Sequence, residues 1–433
     1  MNTLNHTRPL LAVEELRVSY RYAGGIQDAV KGISFEVGSG QFVSLVGESG
    51  SGKSTVAAAL IGLLPGTGHI SGGHMYLEGL DITGAAKKHL REIRGSKIGY
   101  IPQDALSGLD PLMRIGYQVQ EAVLAHTKIE KRAARKKTIE SLFDAGLTDP
   151  ETAFSSFPHE LSGGMKQRSL IAAGMINAPQ LLIADEPTSS LDVLVQQKIL
   201  ASIKRLINES NCALLFITHN IALAAEHSDY LMVMKDGVIA EQGRARTIWE
   251  QPKAPYTREL IAAIPKIAPQ AGSGRPPVCL IELDQVTKYY PNSAIPALEN
   301  VTLPIYEETI TAIIGGSGSG KTTLASVIVQ LEQQSSGSVY YLGNDICRFS
   351  KEELKQYRRA VQMIFQNPYE SLNPLFSVQE IIGEPLRTFS SSDKKESLKQ
   401  PFGIPMLRFR KHPMRRSGLH DMPLMHHRNS VGN

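Results

Sequence analysis

The sequence predicts an α/β fold that occurs twice along the 433 residues of the chain, the second time incompletely. Short runs of apolar and β-branched residues alternate with helical segments, as in a largely parallel sheet that is buried on both faces. A glycine-rich loop stands between such a run and a helix at two places, GESGSGKS from Gly47 and GGSGSGKT from Gly315. Polar motifs follow the first loop at three further places, and none of the three recurs after the second loop.

Comparison of the chain with itself indicates that a whole domain is duplicated. Four segments of the first copy recur in the second copy in the same order. Residues 16–20 recur as 283–289, 29–35 as 297–303, 100–103 as 364–366, and 105–111 as 369–374. The predicted domains are a complete copy at 10–265, a Pro/Gly/Ser-rich linker at 266–278, a partial copy at 279–387, and a tail at 388–433. The composition of the tail differs abruptly from the rest, and we expect it to be disordered.

Composition is that of an ordinary globular protein, with 42% hydrophobic and 20% charged residues, and the net charge of +4 argues neither for nor against nucleic acid. Cys212, Cys279 and Cys347 form no C-x-x-C pair, which indicates reduced thiols packed as small buried side chains. No apolar run reaches the ~18 residues of a membrane span, and the first residues lack a signal-peptide pattern. We therefore expect the chain to stay in the cytoplasm.

Apolar runs and their punctuation predict the elements of the first copy. Residues 42–46, 181–184 and 213–217 are short and without polar alternation, so they should be buried strands. Residues 55–64 have a helical pattern that the following Pro-Gly pair should stop. Residues 118–147 contain a run of lysines and arginines that is typical of an exposed helix.

Both glycine-rich loops fit the phosphate-binding pattern G-x-x-x-x-G-K-[S/T]. Glycine lets successive backbone N–H groups point at one anion, and the helix that starts there adds its positive end. In the first copy Lys53 should reach the β- and γ-phosphates of a nucleotide, and Ser54 should be a ligand of Mg²⁺. Two matches, each between a strand and a helix, argue against a merely structural loop.

Two adjacent carboxylates, Asp185 and Glu186, end the apolar run that starts at Leu181. Asp185 should hold Mg²⁺, mostly through water. Glu186 is the candidate base or water-orienting group for in-line attack on the γ-phosphate. The alternative is an acidic strand end in a solvated loop, and the continuation PTSSLD argues against it.

Together these motifs resemble those of the ATP-binding-cassette (ABC) ATPases. LSGGMKQR from Leu161 is similar to their signature motif, and DEPTSSLD from Asp185 to their Walker B and D-loop run. Single residues match three further positions. Gln103 matches the Q-loop and His219 matches the switch histidine. Tyr20 matches the aromatic residue that stacks on adenine, and Tyr22 is the alternative for that position. The resemblance implies a P-loop NTPase fold with a mainly parallel core sheet, an antiparallel β subdomain and a helical subdomain, and a second copy that is partial.

The resemblance also assigns the site residues, with ATP and Mg²⁺ as cofactors. Catalytic roles fall on Glu186, His219 and Gln103. ATP-binding roles fall on Tyr20, Gly47, Glu48, Ser49, Gly50, Ser51, Gly52, Lys53, Ser54, Thr55, Ser162, Gly163, Gly164, Gly315, Gly316, Ser317, Gly318, Ser319, Gly320, Lys321, Thr322 and Thr323. The Mg²⁺ ligands would be Ser54, Gln103, Asp185, Thr322 and Gln366.

Three features resemble one branch of this superfamily, the oligopeptide, dipeptide, nickel and glutathione importers. These are the stretches 103–111 and 366–374, the closing element YTRELIAAIP from Tyr256, and two cassettes in one chain. The implied partners are transmembrane permease subunits, a second cassette from the same or another ATPase subunit, and indirectly a periplasmic solute-binding protein, with no nucleic acid. The implied location is the cytoplasmic side of the inner membrane, as a peripheral protein.

In this family two cassettes form a head-to-tail sandwich, and each ATP lies between the phosphate loop of one and the signature motif of the other. The second copy here lacks a signature motif, a carboxylate pair and a switch histidine. The chain alone would therefore build two incomplete sites. Pairing of two first copies, or a separate cassette partner, would restore a full site.

The tail is crowded with His and Met without periodicity. We favour a frameshift or premature truncation as its origin, and a regulatory tail or a metal-binding His tract are the alternatives. Three functions stay open: the energy-coupling ATPase of an importer for peptides or related small solutes, an ATP-binding but inactive remnant, and a soluble twin-cassette ATPase acting on ribosomes or DNA. The short linker and the closing element argue against the last.

Overall fold

The computed structural model describes residues 8–104, 108–188, 192–265, 278–291, 293–316, 318–365 and 371–389. The chain divides into two compact units between Gly272 and Ser273, a point inside the predicted linker. Residues 266–277 and the predicted tail from residue 390 onward, with its His and Met residues, lie outside the described residues.

The first unit contains two sheets and a group of helices. Its strands are β1 (Leu11–Tyr22), β2 (Gly25–Val37), β3 (Phe42–Val46), β4 (Gly68–Leu77), β5 (Leu80–Asp81), β6 (Ile98–Ile101), β7 (Leu181–Asp185), β8 (Ala213–Thr218), β9 (Tyr230–Lys235) and β10 (Val238–Arg244). Its helices are α1 (Lys53–Leu60), α2 (Lys87–Ile93), α3 (Ile115–Leu124), α4 (Lys131–Asp144), α5 (Pro150–Ser155), α6 (Gly163–Met175), α7 (Val193–Ser210), α8 (Ile221–His227), α9 (Ala245–Glu250) and α10 (Pro255–Ala262).

The central sheet has the strand order β10-β9-β3-β8-β7-β6 and is parallel except for β10. Every residue of β3, β7 and β8 is buried, which confirms the three predicted strands. Successive residues face opposite sides of the sheet: Leu215 belongs to one hydrophobic core, and Leu214 and Phe216 to another.

The two cores define the layers of the first unit. One core joins the central sheet to α1 and to an antiparallel sheet of order β2-β1-β4-β5. The other joins the opposite face of the central sheet to α3, α4, α6 and α7. The predicted fold class is confirmed: a mainly parallel core sheet with an antiparallel β subdomain and a helical subdomain.

Two helix predictions were wrong in detail. The helix after the first loop ends at Leu60 and not at residue 64, because Gly62 adopts a left-handed conformation (φ 62°) and the N–H of Leu63 bonds back to Ala58 O at 2.8 Å. Residues 118–147 are not one exposed helix. They belong to α3 and α4, and α3 buries one face in the core.

The second unit repeats the first part of this plan. It contains β11 (Cys279–Lys288), β12 (Leu298–Tyr306), β13 (Ser336–Tyr341), β14 (Asn344–Asp345), α11 (Lys321–Ile328), α12 (Lys351–Ala360) and α13 (Val378–Phe389). The sheet order β12-β11-β13-β14 has the same topology as β2-β1-β4-β5. The duplication predicted from sequence is therefore also a duplication of structure.

The described part of the second unit contains no central parallel sheet. Residues 310–314, which correspond to β3, form no strand, and Ile310 and Ile314 are 91% and 93% exposed. The strands β8 and β9 that flank β3 in the first unit have no counterparts among the described residues here. Within the described residues the second unit therefore repeats only the first part of the plan, and the predicted end of the copy at residue 387 stays a prediction.

Within the described residues, no helix has the length and apolar character needed to span a membrane. The three cysteines are free thiols. The expectation that they are buried holds for Cys212, whereas Cys279 is half-buried and Cys347 is exposed, so for Cys347 it was wrong.

Candidate nucleotide site

The first glycine-rich loop connects β3 to α1 and lies against neighbouring backbone. A Cβ atom at Gly47 would lie 2.1 Å from Met234 O, and one at Gly52 would lie 2.5 Å from Ala29 O. Gly52 also has a φ of 105° and directly precedes α1. Only glycine fits these two positions, because any side chain would collide with main-chain atoms.

Lys53 is buried inside this loop. Its Nζ donates hydrogen bonds to Gly47 O at 2.8 Å and to Glu48 O at 2.7 Å. Burial lowers the pKa of the amino group, although the nearby carboxylates of Glu186 and Asp185 partly oppose this shift. A cation held by backbone carbonyls at the start of a helix is suited to meet an incoming phosphate.

Asp185 ends β7 and is 3% exposed. Its carboxylate has a hydrogen bond with Ser54, and its Oδ1 atom is buried without a hydrogen-bond partner among the described residues. Burial raises the pKa of the carboxyl group. A buried carboxylate oxygen without a proton donor is costly, and a nearby cation removes that cost. Asp185 and Ser54 therefore fit the Mg²⁺ that accompanies ATP.

Glu186 brings the three predicted catalytic residues together. Its Oε2 atom accepts a hydrogen bond from Gln103 Nε2 at 3.3 Å and lies 3.1 Å from His219 Nδ1. The backbone of Glu186 is left-handed, with φ 44°, and its N–H donates to Ile217 O at 2.9 Å. A non-glycine residue in this conformation is strained, and such strain is common at functional sites.

The convergence follows from the topology of the central sheet. Gly47, Glu186 and His219 each come directly after a parallel strand, β3, β7 and β8, and Gln103 follows β6 by two positions. The carboxyl ends of parallel strands meet at one edge, where ligands of α/β proteins bind. Residues that are far apart in the chain therefore share one site.

Tyr20 lies beside the loop helix, with its hydroxyl 3.3 Å from Thr55 Oγ1. Tyr22, the alternative candidate, is 59% exposed. Which of the two lies on the adenine ring stays a prediction.

The signature residues lie at the start of α6, a helix that carries none of the residues described above. Ser162 caps α6, and its hydroxyl accepts from Met165 N–H at 3.4 Å. Gly163 and Gly164 open the same helix. Among the described residues, no hydrogen bond or ion pair links these three to Lys53 or Asp185. Their predicted role, contact with a nucleotide in an opposing cassette, stays a prediction.

The second loop copies the first in its local geometry. Lys321 Nζ donates to Gly315 O at 2.8 Å and to Gly316 O at 2.6 Å, and it lies 3.4 Å from Ser319 Oγ. Gly318 and Gly320 have left-handed backbones, and α11 starts at Lys321, with Thr322 and Thr323 in its first turn. Ser317 and Gln366 lie outside the described residues.

Sequence reasoning missed two tyrosines. Tyr290 has its hydroxyl 3.3 Å from Thr323 Oγ1, the same contact that Tyr20 makes with Thr55. A one-residue shift in the aligned repeat would have found it. Tyr256 on α10 has its hydroxyl 3.1 Å from Glu48 N, a contact that no local pattern indicates.

No group of three or more His, Cys, Asp or Glu suited to a metal ion occurs in the part of the chain that the structure describes. The proposed Mg²⁺ ligands Asp185 and Ser54 are not such a group, since a hydroxyl and a single carboxylate meet the ion together with nucleotide phosphates.

A family model described as ABC transporter matches residues 30–189 and 298–422, so the second match continues beyond residue 387. The peptidoglycan transport ATP-binding protein YejF of Agrobacterium fabrum is 37% identical over 398 residues, covering 89% of this chain and 72% of that protein. The oligopeptide transport ATP-binding protein OppD of Mycobacterium bovis is 31% identical, covering 88% and 76%. The glutathione import ATP-binding protein GsiA of Pectobacterium atrosepticum is 31% identical, covering 90% and 69%.

The fold is similar to that of a solved cassette. The dimeric post-hydrolysis structure of the ATP-binding cassette MJ0796, bound to ADP and Pi, has a TM-score of 0.50 and is 28% identical. The similarity covers 55% of this chain and 99% of the cassette.

Proposed function

The chain belongs to the ABC transporter family, and we propose that it is the ATP-hydrolysing, energy-coupling subunit of an importer for peptides or related small solutes. The observation that carries the proposal is the meeting of Gln103 and His219 at one oxygen of Glu186, beside a buried carboxylate and a phosphate loop. The names of the similar transport proteins support the solute class.

ATP would bind at the loop from Gly47 to Thr55. Lys53 is already inside the loop, so on binding its amino group exchanges two carbonyl oxygens for phosphate oxygens. Asp185 and Ser54 would hold Mg²⁺, which supplies charge neutralisation for the phosphates. Tyr20 would lie next to the adenine ring.

Glu186 would orient and deprotonate the attacking water. A carboxylate only accepts hydrogen bonds, so His219 carries a proton on Nδ1 in this arrangement, and Gln103 donates through its amide. These two donors hold the carboxylate in one orientation. The His219 side chain is about half exposed, so it can respond to a cassette that closes over the site.

The second unit would bind nucleotide without hydrolysing it. Its loop presents Lys321 and Thr322 in the same local geometry, but none of its described strands is parallel and ends in a carboxylate pair as β7 does. A complete hydrolytic site then needs an opposing signature motif, from a second copy of the chain or from another ATPase subunit. Permease subunits would anchor the protein at the cytoplasmic face of the inner membrane, and a periplasmic binding protein would deliver the solute to them.

An ATP-binding but inactive remnant is the second candidate. The observation that favours it is the exposed segment before the second loop, where Ile310 and Ile314 are almost fully accessible. In a functional protein another chain would cover these side chains, because exposed apolar patches favour aggregation.

The test is the steady-state ATPase activity of the purified full chain and of Glu186→Gln. The variant should keep ATP binding and lose turnover by about 10²-fold or more, because it keeps the shape of the side chain and loses the base. Glu140→Gln, which alters an exposed carboxylate paired with Lys136, is the matched control and should retain activity.

ATP binding without turnover by the unmodified chain, persisting when permease subunits and a second cassette subunit are added, would favour the remnant. Turnover that Glu186→Gln does not reduce would contradict the assigned role of Glu186.

A further inference from the structure

A side chain from the closing element reaches the phosphate loop of the first unit. Tyr256 lies 208 positions after Glu48, and its hydroxyl accepts a hydrogen bond from the Glu48 backbone N–H at 3.1 Å. The residue is 6% exposed. The proposed chemistry of ATP hydrolysis does not use this residue or the helix that carries it.

The hydrogen bond holds one particular peptide group, the one between Gly47 and Glu48. The carbonyl oxygen of this group accepts from Lys53 Nζ at 2.8 Å, and its N–H donates to Tyr256. Because the peptide group is planar, a bond at each end fixes its rotation. When Lys53 turns from the carbonyl toward a phosphate, the bond to Tyr256 is the one that remains.

Tyr256 is itself held firmly. Lys235 Nζ lies 4.5 Å from the centre of its ring, a cation–π contact. The carboxylate of Glu241 accepts from the N–H groups of Lys253 and Ala254 at 2.9 and 3.0 Å, which anchors the start of α10. Burial raises the pKa of the Tyr256 hydroxyl, so it stays protonated.

The second unit shows the same loop without this contact. Lys321 Nζ donates to Gly315 O at 2.8 Å, as in the first unit. The N–H of Gly316, at the position of Glu48, makes no hydrogen bond among the described residues, and no helix equivalent to α10 is found in them.

We propose that Tyr256 is a positioning residue for nucleotide binding, which fixes the Gly47–Glu48 peptide so that the loop keeps its shape when Lys53 moves to the phosphates. This inference rests on the proposed function. It makes α10, the last helix described in the first unit, part of the support of the phosphate loop.

The test is Tyr256→Phe in the full chain, which keeps the buried ring and removes the hydroxyl. We expect the Kd and KM for ATP to rise about 2- to 10-fold, the range of one hydrogen bond, with kcat changed less than about 2-fold. Tyr117→Phe is the control, because Tyr117 is half exposed and contacts the Phe154 ring. An unchanged Kd for ATP would overturn the inference, whether or not the variant has a lower Tm.

A second comparison separates the backbone bond from the side chain of Glu48, whose carboxylate also has a hydrogen bond with the Tyr256 hydroxyl. In a Glu48→Ala background the effect of Tyr256→Phe should persist, since the backbone N–H is still present. If the effect of Tyr256→Phe on the Kd disappears in this background, the assignment to the backbone hydrogen bond is overturned. If the unmodified chain does not bind ATP, the proposed function fails together with this inference; if it binds ATP and Tyr256→Phe binds equally well, only this inference fails.

Discussion

In the first unit Lys53 Nζ lies 2.8 Å from Gly47 O, and in the second Lys321 Nζ lies 2.8 Å from Gly315 O. The segments that lead into these two loops differ completely. β3 is buried between β8 and β9, whereas residues 310–314 form no strand and leave Ile310 and Ile314 almost fully exposed. A phosphate loop can therefore take its local lysine geometry from about eight residues of its own, while the strand before it depends on partners from distant parts of the chain.

Hydrogen exchange should show the largest difference between the two regions. Amides at 43–46 should exchange at least about 10³-fold more slowly than amides at 311–314, because only the former are bonded within a buried sheet. The measurement is exchange followed by mass spectrometry on the full chain. Equal protection of both segments would mean that the second one is paired in solution, and the contrast would then be wrong.

The two loop lysines should contribute unequally to turnover. Lys53→Ala should lower ATPase activity by about 10²-fold or more, since it removes a charged donor to the reacting phosphates next to Glu186. Lys321→Ala should lower it by less than about 5-fold, because no base has been described beside Lys321. Nucleotide stoichiometry from calorimetry supplies the control, since each variant should lose one of two binding sites. Equal losses of activity would show that the second loop is part of the hydrolysing site.

Asp185→Asn removes a carboxylate from the first site and so makes it more like the second. Of the changes proposed here it should have the smallest effect, a change in the melting temperature of the protein without nucleotide. Burial raises the pKa of Asp185 above its ordinary value of 3.8, so the ionised form is penalised in the folded state. Above the raised pKa the variant should therefore melt a few degrees higher than the unmodified chain, as measured by calorimetry.

This advantage should vanish as the pH falls below 3.8, where the carboxyl group is protonated in both the folded and the unfolded state. The same variant should lose the increase in ATP affinity that Mg²⁺ provides. A variant that is less stable at neutral pH would contradict the interpretation of Asp185 as a buried, incompletely satisfied carboxylate.

Much of the first unit could be predicted from local patterns. The strands at 42–46, 181–184 and 213–217 were recognised because continuous apolar runs of this length are typical of buried parallel strands. The end of α1 was placed four residues too late. The Pro-Gly pair predicts a stop after residue 64, but Gly62 already ends the helix through its left-handed backbone.

Other features lay beyond local patterns. Nothing near Tyr256 in the sequence indicates that its hydroxyl meets Glu48, because the contact depends on how α10 packs against the central sheet. The exposure of Cys347 was missed for a similar reason, since the burial of a cysteine depends on which elements cover it.

The sequence by itself determined the chemistry of the two loops, because glycine conformations and the reach of a lysine are set within a few residues. It also determined which side chains are available for hydrolysis. Only the tertiary structure decided that Gln103, Glu186 and His219 meet at one carboxylate oxygen, since they follow strands that are neighbours in the sheet and not in the chain. It likewise decided that one loop follows a buried strand and the other an exposed segment, because strand formation requires hydrogen-bonding partners that a local sequence cannot supply.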